Sequence, residues 1–599
     1  MFQHRSSPRT IDRTDPPHLR EKKVIGLPQT LGDRDMTGKI CAAAALLTGL
    51  WAGSAQAALV VSTAATSNVS CSGGVCSATA ANAVLNAHDL MVSLAHGDTT
   101  LVSGSIAQDI EFDTPVHWTS AQRLTLDSYH AITFTQPVMS EGTGGMTITV
   151  NDGGSGGDFL FTGKGRVAFW DTSSSLIING NAYTLVNNIA GLSTGVTANP
   201  SGRFAFANNY DASVDGAYSQ SPVSVNFSGT FEGLGNTISH LTINGCCALF
   251  QRVGSIEASG ILRDIVLYSA VVRGGTATLV SDTYGNVIGS SSIGGMVSAS
   301  SGGPNPWVAG GLIGTLDSGN GNVGSAIRSR SSTRVVCGTP CYAGGLVGMI
   351  RAEGNIKQSS ASGSVRAGNN SLAGGLVGTI PLGLMTYTVI VQSFATGSVS
   401  VGNAVGKSGS VTAAAGGLVG YNTAFINEAY ATGAVIGGSG LGNATNHVFV
   451  GGLVGQAYFT PTGTYKSNIR HSYATGSATV GGQGYAGGLM GAGPLKYTIQ
   501  CYATGAVSVS SGLSQIGGFV GNDLTPGGNR LADDFWDLDT SGIGDPSKGA
   551  GNTADDPGIT GLTTAQFQSG LPAGFDPTIW GESPGINNGL PYLLALQPQ

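Results

Sequence analysis

Glycine and aliphatic residues recur at fixed positions in the second half of the chain. The word GGLVG spans residues 416–420, and identical or slightly altered copies begin at Gly310, Gly344, Gly374, Gly416, Gly451, Gly487 and Gly517. Successive copies start 30 to 42 residues apart. Self-similarity on this scale is typical of solenoids and propellers, in which each repeat buries its apolar face against its neighbours.

A second word, with an aromatic residue before ATG or a variant of it, follows most copies. It begins at Phe394, Tyr430, Tyr473 and Tyr502, and weaker versions occur at Ser360 and around Arg330. In a parallel β-helix each coil lies ~4.8 Å above the last, so equivalent residues of successive coils form ladders. The pattern therefore predicts a parallel β-helix whose internal ladder consists of Leu312, Leu346, Leu376, Leu418, Leu453, Leu489 and Phe519.

Three further expectations follow from the two words. Alternation along a strand turns the next aliphatic ladder, from Ile313 to Val520, to the opposite side, where loops or a tight corner must cover it. The paired glycines permit the φ values and the close backbone approach that corners demand. The aromatic residues are expected to stack on one another, and the alanines that follow them to fill a narrow inner position.

The first part of the chain and its end carry different patterns. Residues 58–195 contain short β-rich runs bounded by turn residues, and only residues 78–94 favour a helix or cap. Because exposed strand edges at the ends of a stack invite aggregation, we expect residues 78–94 and the proline-rich tail from Leu531 to cover them. The predicted fold is all-β, with capping ends.

The N-terminus predicts export. Residues 1–35 hold 7 Lys/Arg and 5 Asp/Glu, and an apolar run at residues 40–51 is followed by Ser54-Ala55-Gln56-Ala57. This A-x-A site behind a short apolar segment is typical of a secretory signal peptide cleaved after Ala57. Translation starts at Met1 or at Met36, and the sequence favours Met36. No later run approaches the ~20 apolar residues of a membrane helix.

Composition narrows the class of function. Charged residues make up 10% of the chain, the net charge is −7, and the body has no basic block, which argues against nucleic acid as a partner. Two cysteine pairs, Cys71 with Cys76 and Cys337 with Cys341, can close small loops in an oxidising compartment, and Cys246 and Cys247 are adjacent. Scattered histidines do not favour zinc.

Several segments resemble bacterial surface proteins. Residues 167–185 (VAFWDTSSSLIINGNAYTL) and residues 199–243 resemble the β-helical segments of filamentous-haemagglutinin-like proteins, and the GGLVG and YATGSV words resemble the GLUG repeat of large bacterial extracellular proteins. FWDLDTSG from Phe535 and LPYL from Leu590 resemble the segment that often closes such repeats. The resemblance implies a right-handed parallel β-helix with a surface or adhesion role, and it brings no set of catalytic residues.

Catalytic and metal-binding patterns are weak. The spacing of Asp537, Asp539 and Ser541 matches the first positions of an EF-hand loop, but Lys548 occupies the position that requires a bidentate Glu. We therefore interpret these residues as a turn in the cap or a weak calcium site. Residues 153–161 fit a single copy of a calcium-binding nonapeptide that normally occurs in tandem. A β-helical lyase or hydrolase needs carboxylates fixed on adjacent coils, whereas Asp317, Glu353 and Glu428 fall in unlike positions of their repeats.

The sequence therefore predicts four segments: an N-terminal extension and signal peptide (1–57), a haemagglutinin-like β-helix (58–225), a GLUG-repeat β-helix (226–530) and a closing segment (531–599). We expect a secreted or cell-surface adhesin-like protein of a Gram-negative bacterium, without catalytic residues, cofactor or metal. The periplasm is the alternative location. Its loops would bind glycans or proteins of host or neighbouring cells, and an outer-membrane partner would export it. Alternatives are a carbohydrate-active β-helix enzyme, with a groove at residues 98–171, and a structural matrix component.

Overall fold

A computed structural model describes residues 57–299, 306–381, 388–407, 412–458, 467–528 and 533–598. It is an all-β solenoid of short parallel strands stacked in successive coils, as the repeats predicted. The apolar run and the residues before the cleavage site, up to Gln56, lie outside the described residues. Among the described helices, none combines the length and the apolar character needed to cross a membrane.

A first stack is formed by residues 58–178. Its three sheets contain the strands Ala58–Ser62, Asn82–Asn86, Asp109–Phe112, Ile132–Phe134 and Phe159–Phe161; Val116–Trp118, Pro137–Ser140 and Arg166–Phe169; and Val69–Ser72, Val75–Ala78, Thr99–Val102, Leu124–Asp127, Met146–Thr149 and Leu176–Ile178. Neighbouring coils pair in parallel, with one antiparallel hairpin closed by the Cys71–Cys76 disulfide. Alternate residues of each strand point into a common apolar core.

Helices are short and lie beside the strands. They span Ala87–His96, Gly104–Ala107, Ile189–Ala198 and Thr564–Phe567, with 3-10 turns at Ala212–Asp215, Leu495–Tyr497, Pro546–Lys548 and Asn587–Gly589. The helix expected at residues 78–94 begins at Ala87, because the strand Asn82–Asn86 precedes it and the Asn86 side chain accepts the His88 N–H as an N-cap.

A second stack begins after a hairpin at Asn179-Gly180, where both residues adopt positive φ. Its first and second walls flank the GGLVG word. The first wall contains Trp307–Gly310, Cys341–Gly344, Leu372–Gly374, Thr412–Gly416, His447–Gly451, Gly484–Gly487 and Gln515–Gly517. The second contains Val223–Phe227, Phe250–Val253, Val280–Thr283, Ile313–Leu316, Val347–Ile350, Val377–Thr379, Val419–Asn422, Val454–Ala457, Met490–Gly493 and Val520–Asp523.

Three more walls complete each coil. The third contains Asn181–Val186, Arg203–Phe206, Thr230–Glu232, Ile261–Arg263, Asn286–Ile288, Asn322–Ile327, Gly354–Lys357, Asn468–Arg470 and Thr498–Ile499, and the fourth contains Tyr210–Asp211, Thr237–Ser239, Val266–Tyr268, Ser291–Ile293, Arg330–Ser331, Ser360–Ala361, Tyr473–Ala474, Tyr502–Ala503, Asp534–Asp537 and Ile559–Leu562. Val389–Ala395 and Phe425–Ala431 belong to both. The fifth contains Ala217–Tyr218, Thr242–Asn244, Val271–Arg273, Met296–Ala299, Arg334–Cys337, Val365–Ala367, Val399–Val401, Val435–Gly437, Ala478–Val480 and Val507–Val509. Outside the walls lie Ser318–Gly319, Ala404–Val405, Gly440–Leu441, Trp580–Gly581 and Tyr592–Leu593.

The GGLVG copies lie in register from coil to coil. The seven leucine or phenylalanine positions are fully buried, and each backbone N–H donates to the carbonyl of the next copy, as from Leu376 to Leu418 at 2.9 Å. The Leu418 carbonyl also accepts the Val377 N–H at 3.0 Å. The Leu418 carbonyl therefore accepts two hydrogen bonds from the preceding coil. These two bonds connect the corners of the two coils.

Two details of this corner differ from expectation. The ladder containing Val419 faces the same core as Leu418, because Gly417 and Leu418 form a bend between two strands and the alternation restarts after it. None of Gly416, Gly417 and Gly420 adopts a positive φ, so the glycines serve close approach alone. A β-carbon added at Gly416 would lie 2.0 Å from the Val419 carbonyl oxygen.

The closing segment continues the stack and then folds back along its side. Residues 548–551 act as a further copy of the word, because the Phe519 and Val520 N–H groups both donate to the Gly549 carbonyl. Phe535 and Trp536 continue the ladders of Tyr502 and Ala503. The remaining tail covers the outer aromatic residues of the fourth wall.

Candidate functional site

A cluster of charged side chains lies between the two stacks. Arg263 pairs with Asp158 of the first stack, and its Nε lies 3.0 Å from Asp264 Oδ2 and 3.7 Å from Glu232 Oε1. Arg328 binds the other oxygen of Asp158. Both oxygens of Asp158, the carboxylate of the nonapeptide at residues 153–161, are therefore engaged by arginines.

Electrostatics in this cluster is dominated by burial. Glu232 is 2% exposed and Asp264 6%. Burial raises the pKa of Glu232 to about 8 and the pKa of Asp264 to about 6; the charge of Arg263 opposes both shifts, and repulsion from Asp158 adds to them. The Arg263 guanidinium also lies 4.2 Å above the centre of the Phe159 ring.

This arrangement resembles acid and base groups on adjacent coils, since Glu232 and Arg263 are paired residues of neighbouring strands. Its buried carboxyl groups, however, face the Arg263 guanidinium. Asp158 belongs to the first stack and its partners to the second. The cluster therefore joins the two stacks, and its chemistry is that of a buried ion-pair network.

Two acidic side chains of the repeats, those of Asp317 and Glu428, are also engaged. The Asp317 carboxylate lies 2.7 Å from Arg351 Nη1. Glu428 accepts hydrogen bonds from the side-chain amides of Gln392 and Asn427, at 3.0 and 2.8 Å. These carboxylates belong to different walls and do not converge.

The calcium candidates form a turn in the closing segment. Asp537 is fully buried; its Oδ1 accepts the Asp539 N–H at 2.8 Å and its Oδ2 accepts the Thr564 hydroxyl at 2.7 Å. Asp539 Oδ2 accepts the Thr564 N–H at 2.8 Å, and Ser541 Oγ accepts the Ile543 N–H at 3.2 Å. Within the described ranges no group of three or more His, Cys, Asp or Glu is placed to hold a metal ion.

The aromatic residues of the second word stack as predicted. Ring centres are 4.8 Å apart for Phe394 and Tyr430, 5.0 Å for Tyr430 and Tyr473, and 4.9 Å for Tyr473 and Tyr502. The tail buries this ladder: Trp580 lies 5.8 Å from Tyr502, whose hydroxyl donates to the Pro591 carbonyl at 2.6 Å. These rings are therefore an internal contact of the chain and offer no open surface.

A second set of aromatic and apolar side chains lies outside the main core, where the outer faces of the first and second walls meet. We call it the aromatic stripe. The first wall contributes Tyr342, Leu372, Ala414, Phe449 and Tyr485, in register on consecutive coils, and the second contributes Met349, Thr379, Tyr421, Gln456 and Ala492, also in register. Ala414, Phe449 and Ala492 form a buried cluster of their own, against which Leu372 and Tyr485 pack half-buried.

Ring contacts order the stripe. Phe449 and Tyr485 are stacked, with centres 5.3 Å apart and planes 8° apart, and His447 lies edge-on to Tyr485 at 5.1 Å. Tyr421 and Tyr458 form a further pair with centres 6.4 Å apart, and burial together with Tyr458 raises the Tyr421 pKa well above its ordinary value, so its hydroxyl stays protonated.

The sequence analysis did not predict the stripe because it used the positions that are nearly identical in all copies of the two words. The signal lies in two variable columns beside GGLVG: the second residue before the first glycine, as in Tyr485, and the residue after the last, as in Tyr421. Aligned over the copies, both columns lack Asp, Glu, Lys and Arg.

Six of the cysteines are paired. Cys71 is bonded to Cys76, Cys337 to Cys341, and Cys246 to its neighbour Cys247. Cys501 is a buried thiol at a position that carries serine in two earlier copies, at Ser393 and Ser472, and burial raises its pKa well above the ordinary value. A buried thiol of raised pKa is unreactive.

Comparison with known proteins adds no family to this description. No protein-family model matches the chain, and no curated protein is similar to it.

Proposed function

We propose that this chain is a secreted or cell-surface, adhesin-like protein with a right-handed β-helix, related in kind to filamentous-haemagglutinin-like proteins with GLUG repeats. It binds ligands on the outside of its coils and catalyses no reaction. The observation that carries this proposal is the aromatic stripe, because apolar and aromatic side chains grouped outside a complete core and accompanied by polar ones are typical of an interaction surface.

Charge placement favours binding over catalysis. The buried carboxylates Glu232 and Asp264 are held against Arg263, and Asp317 is held by Arg351. A lyase or hydrolase needs an acid and a base that reach the substrate. Among the described residues these carboxylates are instead committed to protein partners.

Export is supported by two features. Residues 40–57 have the pattern of a signal peptide cleaved after Ala57, and the described part of the chain has three disulfides, a bond that persists in oxidising compartments and is rare in the cytosol. An outer-membrane partner would then place the protein on the outer cell surface, with the periplasm as the alternative.

The test is fractionation of the producing bacterium combined with an adhesion assay. We expect the chain, beginning after Ala57, at the surface or in the medium, where added protease removes it from intact cells. Cells that lack it should adhere less to glycan-coated or host-cell surfaces. Release of reducing sugar from polysaccharides by the purified chain would overturn the proposal in favour of an enzyme, and an uncleaved cytosolic product would overturn it outright.

A further inference from the structure

We infer that the aromatic stripe binds a linear, uncharged polysaccharide laid along the stack, parallel to the direction in which the coils succeed one another. This inference rests on the proposed function and names the ligand of its binding surface. Three properties of the stripe support it: its lack of charge, its mixture of rings with hydroxyl and amide groups, and its repetition from coil to coil.

The stripe has no formal charge over its full length. In the first wall the ladder is extended by Val308 and Gln515, and in the second by Thr315 and Asn522, so the columns stay free of Asp, Glu, Lys and Arg over seven coils. Among the described residues in register with the second column, charge begins at Asp282, which pairs with Thr315, and continues at Arg252. A charged ligand would lose water there without gaining a counter-ion, which is costly. An acidic polysaccharide is therefore disfavoured.

The side chains combine apolar area with hydrogen-bonding groups. Leu372 provides half-exposed carbon surface over the buried Phe449 ring, while Tyr342, Tyr485 and Gln456 place hydroxyl and amide groups at half-exposed positions. A neutral sugar has the complementary character, with C–H groups on its ring faces and hydroxyls around its rim. Few polar groups set among apolar ones are typical of sites for uncharged ligands.

Repetition favours a polymer over a compact ligand. Successive coils are ~4.8 Å apart, and the register of Tyr342, Leu372, Ala414, Phe449 and Tyr485 is unbroken. A chain lying along this column meets related contacts at each coil, so weak contacts add within one bound molecule. The same column offers a single sugar only one such contact.

The inference is tested by affinity electrophoresis of the full mature chain in native gels that contain soluble β-glucan, xylan or galactomannan, with polygalacturonate as the charged comparison. We expect at least one neutral polymer to retard the protein and polygalacturonate to leave it unretarded. Tyr485→Ala and Tyr342→Ala should each weaken retardation, and the double variant should weaken it about tenfold or more.

Two controls keep the result interpretable. Tyr268→Ala removes a tyrosine that is 48% exposed on the fourth wall and should leave retardation unchanged. Tyr485→Leu keeps apolar bulk at the stripe and should still weaken binding. All variants are compared by thermal unfolding, and Tyr485→Leu takes the place of Tyr485→Ala if the alanine variant has a lowered melting temperature.

Retardation by none of the neutral polymers, equal retardation by polygalacturonate, or full retardation of the Tyr485 and Tyr342 variants would overturn the inference. Failure of the proposed function has a separate readout. If cells need the chain for adhesion while neutral polymers do not retard it, the adhesin proposal stands and the ligand assignment falls. If adhesion does not depend on the chain at all, the proposed function itself falls.

Discussion

A β-carbon added at Gly417 would lie 2.8 Å from the β-carbon of Ala431 and 2.0 Å from the Gly452 carbonyl oxygen. The second glycine of GGLVG and the alanine of YATG therefore meet inside each coil. The contact recurs with Gly345 and Ala361, Gly375 and Ala395, Gly452 and Ala474, and Gly488 and Ala503. The glycine of the first word thus packs against the alanine of the second word. A larger side chain at either position would displace the other residue.

Gly417→Ala should destabilise the stack by about 1–3 kcal/mol, because overpacking a filled interior forces the backbone apart. The measurement is the shift of the urea unfolding midpoint. Gly544→Ala is the control, since an added β-carbon there meets no atom within 4 Å and the residue has no positive φ. Equal midpoints for Gly417→Ala and the unsubstituted chain would contradict this packing.

Leu418→Ala should lower the free energy of unfolding by about 2–5 kcal/mol, because the side chain is fully buried and its removal leaves a cavity. We expect faster cleavage by added protease within the neighbouring coils. The matched control is Leu513→Ala, whose side chain is 92% exposed and should change neither stability nor cleavage. Similar effects of the two substitutions would exclude the core placement of Leu418.

Repetition explains what could be predicted from the sequence. The ladders of Leu418 and Tyr430 were predictable because the same side chain fills the same space in each coil. The extra copy at residues 548–551 was not, because Gly549 takes the place of leucine and only its backbone carbonyl continues the pattern. A backbone hydrogen bond does not require a particular residue type. The stack therefore extends beyond the copies of GGLVG that can be recognised in the sequence.

The aromatic stripe was unpredictable for a different reason. Its positions vary between alanine, leucine and aromatic residues, as at Ala414, Leu372 and Phe449, because a column outside the main core does not have to fill a space of the same volume in each coil. The same applies to the ion-pair cluster: Asp158 and Arg328 are 170 residues apart, and only the fold brings them together.

Tyr502→Phe should loosen the tail. The Tyr502 hydroxyl donates to the Pro591 carbonyl and accepts from the Asn587 amide at 2.9 Å, so its removal should cost about 1–2 kcal/mol. Cleavage of the tail by added protease should accelerate, and tail amides should exchange faster with solvent.

Tyr473→Phe is the matched comparison for the tail. Tyr473 is equally buried one coil earlier, but within the described residues its hydroxyl has no hydrogen-bond partner. Removing a buried, unpaired hydroxyl should be neutral or slightly stabilising. If both tyrosines respond alike, the bond to Pro591 does not hold the tail.

Glu232→Gln should change how stability depends on pH. Because burial raises the pKa of Glu232 to about 8, from an ordinary value of 4.5, the folded state holds this proton more tightly than the unfolded state does. The stabilisation is complete below pH ~4.5 and is lost as the pH rises towards 8, by up to about 1.4 kcal/mol per pH unit. Glutamine has no such proton to lose. The variant should therefore gain stability relative to the unsubstituted chain between pH 5 and 8, and the difference should level off above pH 8.

Urea unfolding at pH 5, 6.5, 8 and 9 measures this difference, and the difference cancels the contributions of titratable groups that do not interact with Glu232. Glu257→Gln, at an exposed site, is the control for the glutamate-to-glutamine change itself. A difference for Glu232→Gln that moves in the opposite direction, with the variant losing stability as pH rises, would mean that Glu232 is ionised beside Arg263 and that their ion pair outweighs burial.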